Sequence, residues 1–214
     1  MRELLPLFAA VVCVWCALCE GASGEVYCKY CGEKFYSADS ARLGTCLYSS
    51  SRKHVAVSCR NGKFTCESCG ETFSSASSVR LGTCLYSANR KHALSGGEGS
   101  NSKFVCRFCG EIFSSAGSVR FGYCMYGPDG KHMLGGAYTF SRKYFCRFCG
   151  EVFSCPGNVR MGTCLYSRNK KHVLSTCTST SNLFCRFCGE RFSRPGNVRL
   201  GTCLYSPDKK HELP

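Results

Sequence analysis

Apolar and polar positions along this chain fall into one uninterrupted apolar run and then five rounds of a single short pattern. The run, from Leu4 to Cys19, carries no charge and gives way to the small and polar EGASGE. Each round opens with aromatic and polar residues alternating around a cysteine pair, as in KFVCRFCGEIF, which predicts a β-hairpin. A serine-led stretch such as SSAGSVR follows and predicts a helix of one or two turns. GTCLYS then predicts a short extended return, and polar stretches such as GPDGKH and SPDKKH predict a turn. Spacers rich in Gly, Ser and Thr, including SGGEGSNS and STCTSTSN, read as flexible linker.

The rounds start at Cys28, Cys66, Cys106, Cys146 and Cys185, a period of 38 to 40 residues. A fixed period of this kind marks an array of small units in place of one large core. We bound the units as residues 26–54, 64–92, 104–132, 144–172 and 183–211, with the apolar leader at 1–23. Units of about 29 residues bury little core, so metal is expected to supply folding energy, roughly 10 to 16 kcal/mol per structural zinc site. Phe35, Val79, Tyr86 and their counterparts are expected to form the small core beside each metal. The fold class read from this pattern is α+β: zinc-knuckle hairpins with a short helix or turn, five in tandem as beads on a string.

Cysteine and histidine usage supplies the chemistry. Of 21 cysteines, Cys13, Cys16 and Cys19 lie in the leader, and Cys59, Cys155 and Cys177 stand outside the repeat pattern. The remaining fifteen, with all five histidines, form C-x2-C-x14-C-x7-H five times without an insertion. The candidate ligand sets are Cys28, Cys31, Cys46 and His54; Cys66, Cys69, Cys84 and His92; Cys106, Cys109, Cys124 and His132; Cys146, Cys149, Cys164 and His172; and Cys185, Cys188, Cys203 and His211. Four N and S donors complete a closed tetrahedral site, so five structural Zn2+ ions are expected. A glycine after each pair (Gly32, Gly70, Gly110, Gly150, Gly189) suits the positive φ of a tight turn. A disulfide framework is the competing assignment for a secreted cysteine-rich chain, but it leaves one thiol over in every unit and gives the histidines no role.

Phe64, Cys66, Cys69, Phe73 and Val79, and equally Phe104, Cys106, Cys109, Phe113 and Val119, resemble the first half of a C2H2 zinc finger. The second half departs from that family. Gly44, Gly82, Gly122, Gly162 and Gly201 stand where it places its first histidine, and Pro156-Gly157 and Pro195-Gly196 shorten any helix, so no base-reading helix is carried over. The whole repeat is similar to Cys3His modules of the form CG-x2-FSS-x3-V-x2-G-x-C-x2-S-x3-KH, a resemblance that brings no activity with it.

The leader reads as a cleaved secretory signal, with a retained signal anchor as the alternative, and no later segment is apolar enough to span a bilayer. Formal net charge is +14. Removing the leader makes it +15, and five zinc–thiolate sites at −1 each bring it to about +10. Part of this charge recurs with the repeat, at Arg42, Arg80, Arg120, Arg160 and Arg199 and at Lys53, Lys91, Lys131, Lys171 and Lys210. Arg107-Phe108, Arg147-Phe148 and Arg186-Phe187 place a cation and an aromatic within the cysteine turn, able either to stack on unpaired bases or to pack on their own module. Glu33, Glu71, Glu111, Glu151 and Glu190 are open to three roles: pairing with the arginine, accepting from the ligand histidine, or standing free on the surface.

Every histidine is assigned to a closed site, so no catalytic residue is proposed and the chain reads as a non-enzyme. The expected function is a secreted or surface-associated, multivalent zinc-binding module for a protein or polyanionic partner. The alternative is an intracellular zinc-finger protein that binds nucleic acid. The leader and the lack of a nuclear-type basic run favour the first, although no N-x-S/T acceptor accompanies it.

Overall fold

The computed structural model describes residues 25–59, 62, 64–96, 103–138, 143–177, 179–180 and 183–214. The leader, with its three cysteines and the signal assigned to it, lies outside the described residues, as do 97–102 of the second spacer. Among the described residues no helix is long and apolar enough to cross a membrane.

Each repeat begins with a small antiparallel hairpin. Val26 pairs with Phe35, Phe64 with Phe73, Phe104 with Phe113 and Tyr144 with Phe153, and repeat 5 keeps a single bridge between Phe184 and Arg191. The cysteine pair occupies the hairpin turn. Its glycine donates to the first cysteine's carbonyl, as Gly32 does to Cys28 at 3.0 Å, and the Cys28 amide donates to the Glu33 carbonyl at 2.8 Å. Gly32 holds φ at 69°, the left-handed region expected from the sequence.

The expected helix is a five-residue 3-10 turn in every repeat: Ala38–Arg42, Ala76–Arg80, Ala116–Arg120, Pro156–Arg160 and Pro195–Arg199. Proline fits there because the first helical residue needs no N–H. Serine does not cap the turn; Ser37, Ser75 and Ser115 bond to serine hydroxyls within the same turn. The turn ends at a residue in extended conformation, followed by a glycine such as Gly44 at φ 80°. A compact loop then returns to the histidine, closed by hydrogen bonds such as Cys46 N–H to the Arg52 carbonyl at 2.9 Å.

Beads on a string is the expectation that the structure overturns. The residue after the first cysteine is a joint. The Lys29 amide donates to Val55 within repeat 1 at 2.7 Å, while the Lys29 carbonyl accepts from Leu94 of repeat 2 at 2.8 Å. The same link runs from Leu134 to Glu67, Leu174 to Arg107 and Leu213 to Arg147, at 2.8 to 3.0 Å. Ala56 of repeat 1 donates to Arg186 of repeat 5 at 2.9 Å, and the five repeats close into a ring.

Alternation along the first strand explains why the units do not stand alone. Successive side chains point to opposite faces. Val26 and Cys28 enter the core of repeat 1, whereas Tyr27 enters that of repeat 2, where its ring meets Phe64 edge-on at 5.0 Å. Val105 likewise joins the core of repeat 4, Phe145 that of repeat 5, and Phe184 that of repeat 1. A unit this small cannot cover both faces of its own hairpin, so each lends a side chain to the next.

Candidate metal centres

The five predicted ligand sets are brought together as five buried quartets, in each of which all four ligand atoms lie within 4.8 Å of one another. The hairpin turn supplies two sulfurs, the segment after the 3-10 turn supplies the third, and the returning loop brings the histidine Nδ1. First and third cysteines stand 3.7 to 3.9 Å apart at Sγ, and the second cysteine lies 3.6 to 3.7 Å from Nδ1. A disulfide needs about 2.05 Å between sulfurs, so these geometries are not bridges. A single tetrahedral ion with metal–sulfur bonds of about 2.3 Å sets sulfur edges near 3.8 Å, which fits.

The electrostatics point the same way. In each quartet the first cysteine is pushed down, to about 4 in repeats 1, 3, 4 and 5 and about 5 in repeat 2, chiefly by the hydrogen bond from the second. The second is pushed up, first by that same hydrogen bond and then by burial. The third is pushed up by burial and by the first cysteine's charge. Three crowded sulfurs cannot all ionise without a cation among them, and a metal ion held by the quartet would supply that charge.

The histidine's other nitrogen resolves the role of the repeated glutamate. Nε2 of His54, His92, His132, His172 and His211 faces a carboxylate oxygen of Glu33, Glu71, Glu111, Glu151 and Glu190 at 3.3 to 3.6 Å. A carboxylate there favours the tautomer that leaves Nδ1 free to ligate. Phe35, Phe73, Phe113, Phe153 and Phe192 each pack edge-on against that imidazole, with ring centres 5.2 to 5.5 Å apart. The aromatic core residue expected beside each metal therefore touches the ligand itself.

No family model matches the chain, and neither a curated protein nor a solved structure matches it.

Other sequence expectations are corrected at the joints. Tyr86 is not a core residue; it is 40% exposed and lies beneath the Arg120 guanidinium of the next repeat at 5.8 Å. Arg80 covers Tyr48, Arg199 covers Tyr166 and Arg42 covers Tyr205 in the same way, so four of the five repeated arginines are inter-repeat contacts, while the Tyr126 ring is covered by Lys171. The arginines within the cysteine turns are not exposed for nucleic acid either. Arg107, Arg147 and Arg186 are buried toward the middle of the ring, where burial and then the neighbouring Arg186 and Arg107 pull Arg147 well below the ordinary arginine range. Sequence reasoning missed this convergence. Its signal was a position beside the first ligand that carries a charge in every repeat and alters its type in the first two: Lys29, Glu67, then Arg107, Arg147 and Arg186.

Of the cysteines outside the quartets, Cys59 and Cys177 are buried, and Cys155 is exposed with its thiol 3.1 Å from Asn158 Oδ1.

Proposed function

We propose that the chain is a secreted or surface-associated, non-catalytic binding protein in which five structural zinc ions hold a ring of five repeats. The observation that carries the reading is the quartet geometry, repeated five times around the ring. Zinc–sulfur bonds of about 2.3 Å and zinc–nitrogen bonds of about 2.05 Å give tetrahedral edges near 3.8 Å and 3.6 Å, the lengths of the sulfur–sulfur and sulfur–nitrogen contacts here. Four protein donors leave no coordination position for water or substrate, which supports a structural role for the metal.

The ring supports binding by repetition. Leu43 and Leu47 flank the third ligand of repeat 1 and stand 72% and 78% exposed. Leu81 with Leu85, Phe121 with Met125, Met161 with Leu165 and Leu200 with Leu204 occupy the same places at similar exposure. Five copies of one apolar pair, at spacings set by the joints, suit a partner with a repeated surface and gain affinity from simultaneous contact. Loss of free inter-unit motion strengthens this, because a rigid array does not lose linker entropy when it binds.

The test is to express the full-length chain in cultured cells, follow it by antibody, and measure metal and the N-terminal sequence on the recovered protein. Five zinc per chain, in medium or at the cell surface, with a mature start near the end of the leader, is the expected outcome. An intact Met1 on nuclear protein would replace the extracellular reading, and protein without zinc or free thiols would end the zinc assignment.

A further inference from the structure

The five joint residues share one place. Their backbones link neighbouring repeats, and their side chains line a central cavity of about 710 Å³. Lys29, Glu67, Arg107, Arg147 and Arg186 are each at least nine-tenths buried there, and the half-buried rings of Phe108, Phe148 and Phe187 form part of the wall.

The charges of this cavity do not balance. Glu67 lies 2.6 Å from Lys29 and 2.9 Å from Arg107, and Arg107 also donates to the Leu134 carbonyl at 3.0 and 2.7 Å. Those two cations are satisfied. Arg186 has one carboxylate, Glu212 at 4.0 Å, and its guanidinium lies 5.4 Å from the centre of the Phe187 ring, while Arg147 has no carboxylate within ion-pair distance among the described residues. The Nε donors of both Arg147 and Arg186 are buried without a hydrogen-bond acceptor. A buried guanidinium without a counter-charge is costly, and two on one wall repel each other.

We infer that the cavity is a binding site for a small anionic ligand, with a phosphate or sulfate group seated between Arg147 and Arg186 and a flat apolar body against Phe148. Planar guanidinium groups match the paired oxygens of such an anion. A bare oxyanion would leave most of the volume empty, whereas a cavity this large accommodates a ligand with an aromatic portion. The exposed Lys171 and Lys210 at its rim draw anions inward. This inference rests on the ring of the proposed function, and goes beyond it by placing a second, small-molecule site at the ring's centre.

Titration calorimetry on the zinc-loaded full chain, at fixed ionic strength in chloride, tests it with p-nitrophenyl sulfate and inorganic sulfate as probes. One site per chain is expected, with the aryl sulfate bound at least about tenfold more tightly than sulfate, since ring contact adds to the charged hydrogen bonds. Arg147→Met keeps the apolar stem and is expected to lose about tenfold or more in affinity while leaving thermal stability in the absence of probe unchanged or raised. The exterior variant Lys91→Met is expected to bind as the parent does. Absence of heat from either probe on protein carrying five zinc ions overturns the anion site and leaves the ring standing. Undiminished binding by Arg147→Met also overturns it, as does a large loss of stability in that variant, which would make Arg147 a structural residue. Binding through Arg147 by a chain that holds no zinc would support this site while ending the zinc reading.

Discussion

Two glycines separate a closed ring from five independent units. Gly32 and Gly44 both lie in the left-handed region, at φ 69° and 80°, so alanine at either carries the same local strain of about 1 to 2 kcal/mol. Their surroundings differ. A Cβ on Gly44 would meet nothing nearer than His54 Nε2 at 3.6 Å, an ordinary contact. A Cβ on Gly32 would fall 1.9 Å from the Ala76 carbonyl oxygen and 2.7 Å from Ser77 N, both in the backbone of repeat 2. Backbone cannot rotate away as a side chain can, so the joint must open, adding about 1 to 3 kcal/mol by analogy with overpacked cores. Denaturant unfolding of zinc-loaded Gly32→Ala and Gly44→Ala at equal free zinc measures the difference. Hydrogen exchange then locates it: the Leu94 amide, which donates across the joint to Lys29, is expected to lose protection in Gly32→Ala and keep it in Gly44→Ala. Equal stabilities together with unchanged Leu94 protection would refute the ring and restore independent repeats.

Metal removal reports on the same coupling: limited chelator, followed by native mass spectrometry, is expected to populate chains with five metals and chains with none, because stripping one repeat exposes side chains borrowed by its neighbours. A ladder of four-, three- and two-metal species would contradict that coupling. Arg120→Met is expected to cost about 0.5 to 1 kcal/mol by uncovering Tyr86, read as a shift in denaturation midpoint, with no zinc lost. Maleimide at about pH 8 should label Cys155 in native protein and spare Cys59, whose thiol is pushed up to about 12 by burial and then by the charge of Glu25. A raised folded value means that any stability tied to the neutral Cys59 thiol is intact below its ordinary value of 9.0 and declines as pH climbs toward 12, which denaturation across that window checks.

The metal quartets were legible in the sequence because coordination demands fixed donors at fixed spacing, and no other use of His54 and its four counterparts competes. The hairpin and its aromatic were legible for the same reason: Phe35 must sit where the turn places it. Tyr86 misled because a lone unit offers an aromatic nothing to cover except its own metal, whereas its real partner, Arg120, belongs to the next repeat. The ring itself was hidden by where the units were taken to end. Leu94, Leu134, Leu174 and Leu213 follow the histidine by two residues and are almost wholly buried, in positions that sequence alone assigns to linker. Tyr27, Val105, Phe145 and Phe184 pointed to the same conclusion, being apolar on the hairpin face that an isolated unit leaves uncovered.

Closure also distinguishes one chain of five repeats from an assembly of five identical subunits. In a symmetric assembly of identical subunits every position recurs, so a cation at the joint would become five cations facing one cavity. Mutual repulsion at such range, in a medium of low dielectric, would oppose assembly. A single chain removes that constraint. It places Glu67 at one joint, where it pairs with Lys29 and Arg107 on either side, and leaves Arg147 and Arg186 as the unbalanced pair. The framework positions repeat because each completes a cluster able to hold a metal, while the joint side chains differ because they meet in one cavity instead of five. Exchanging Glu67 for Arg would recreate the all-cationic centre. The expected result is a ring destabilised by several kcal/mol in low salt and partly rescued by added sulfate, with five zinc ions still bound. A Glu67→Arg chain as stable as the parent at every salt concentration would show that the joint charges do not meet.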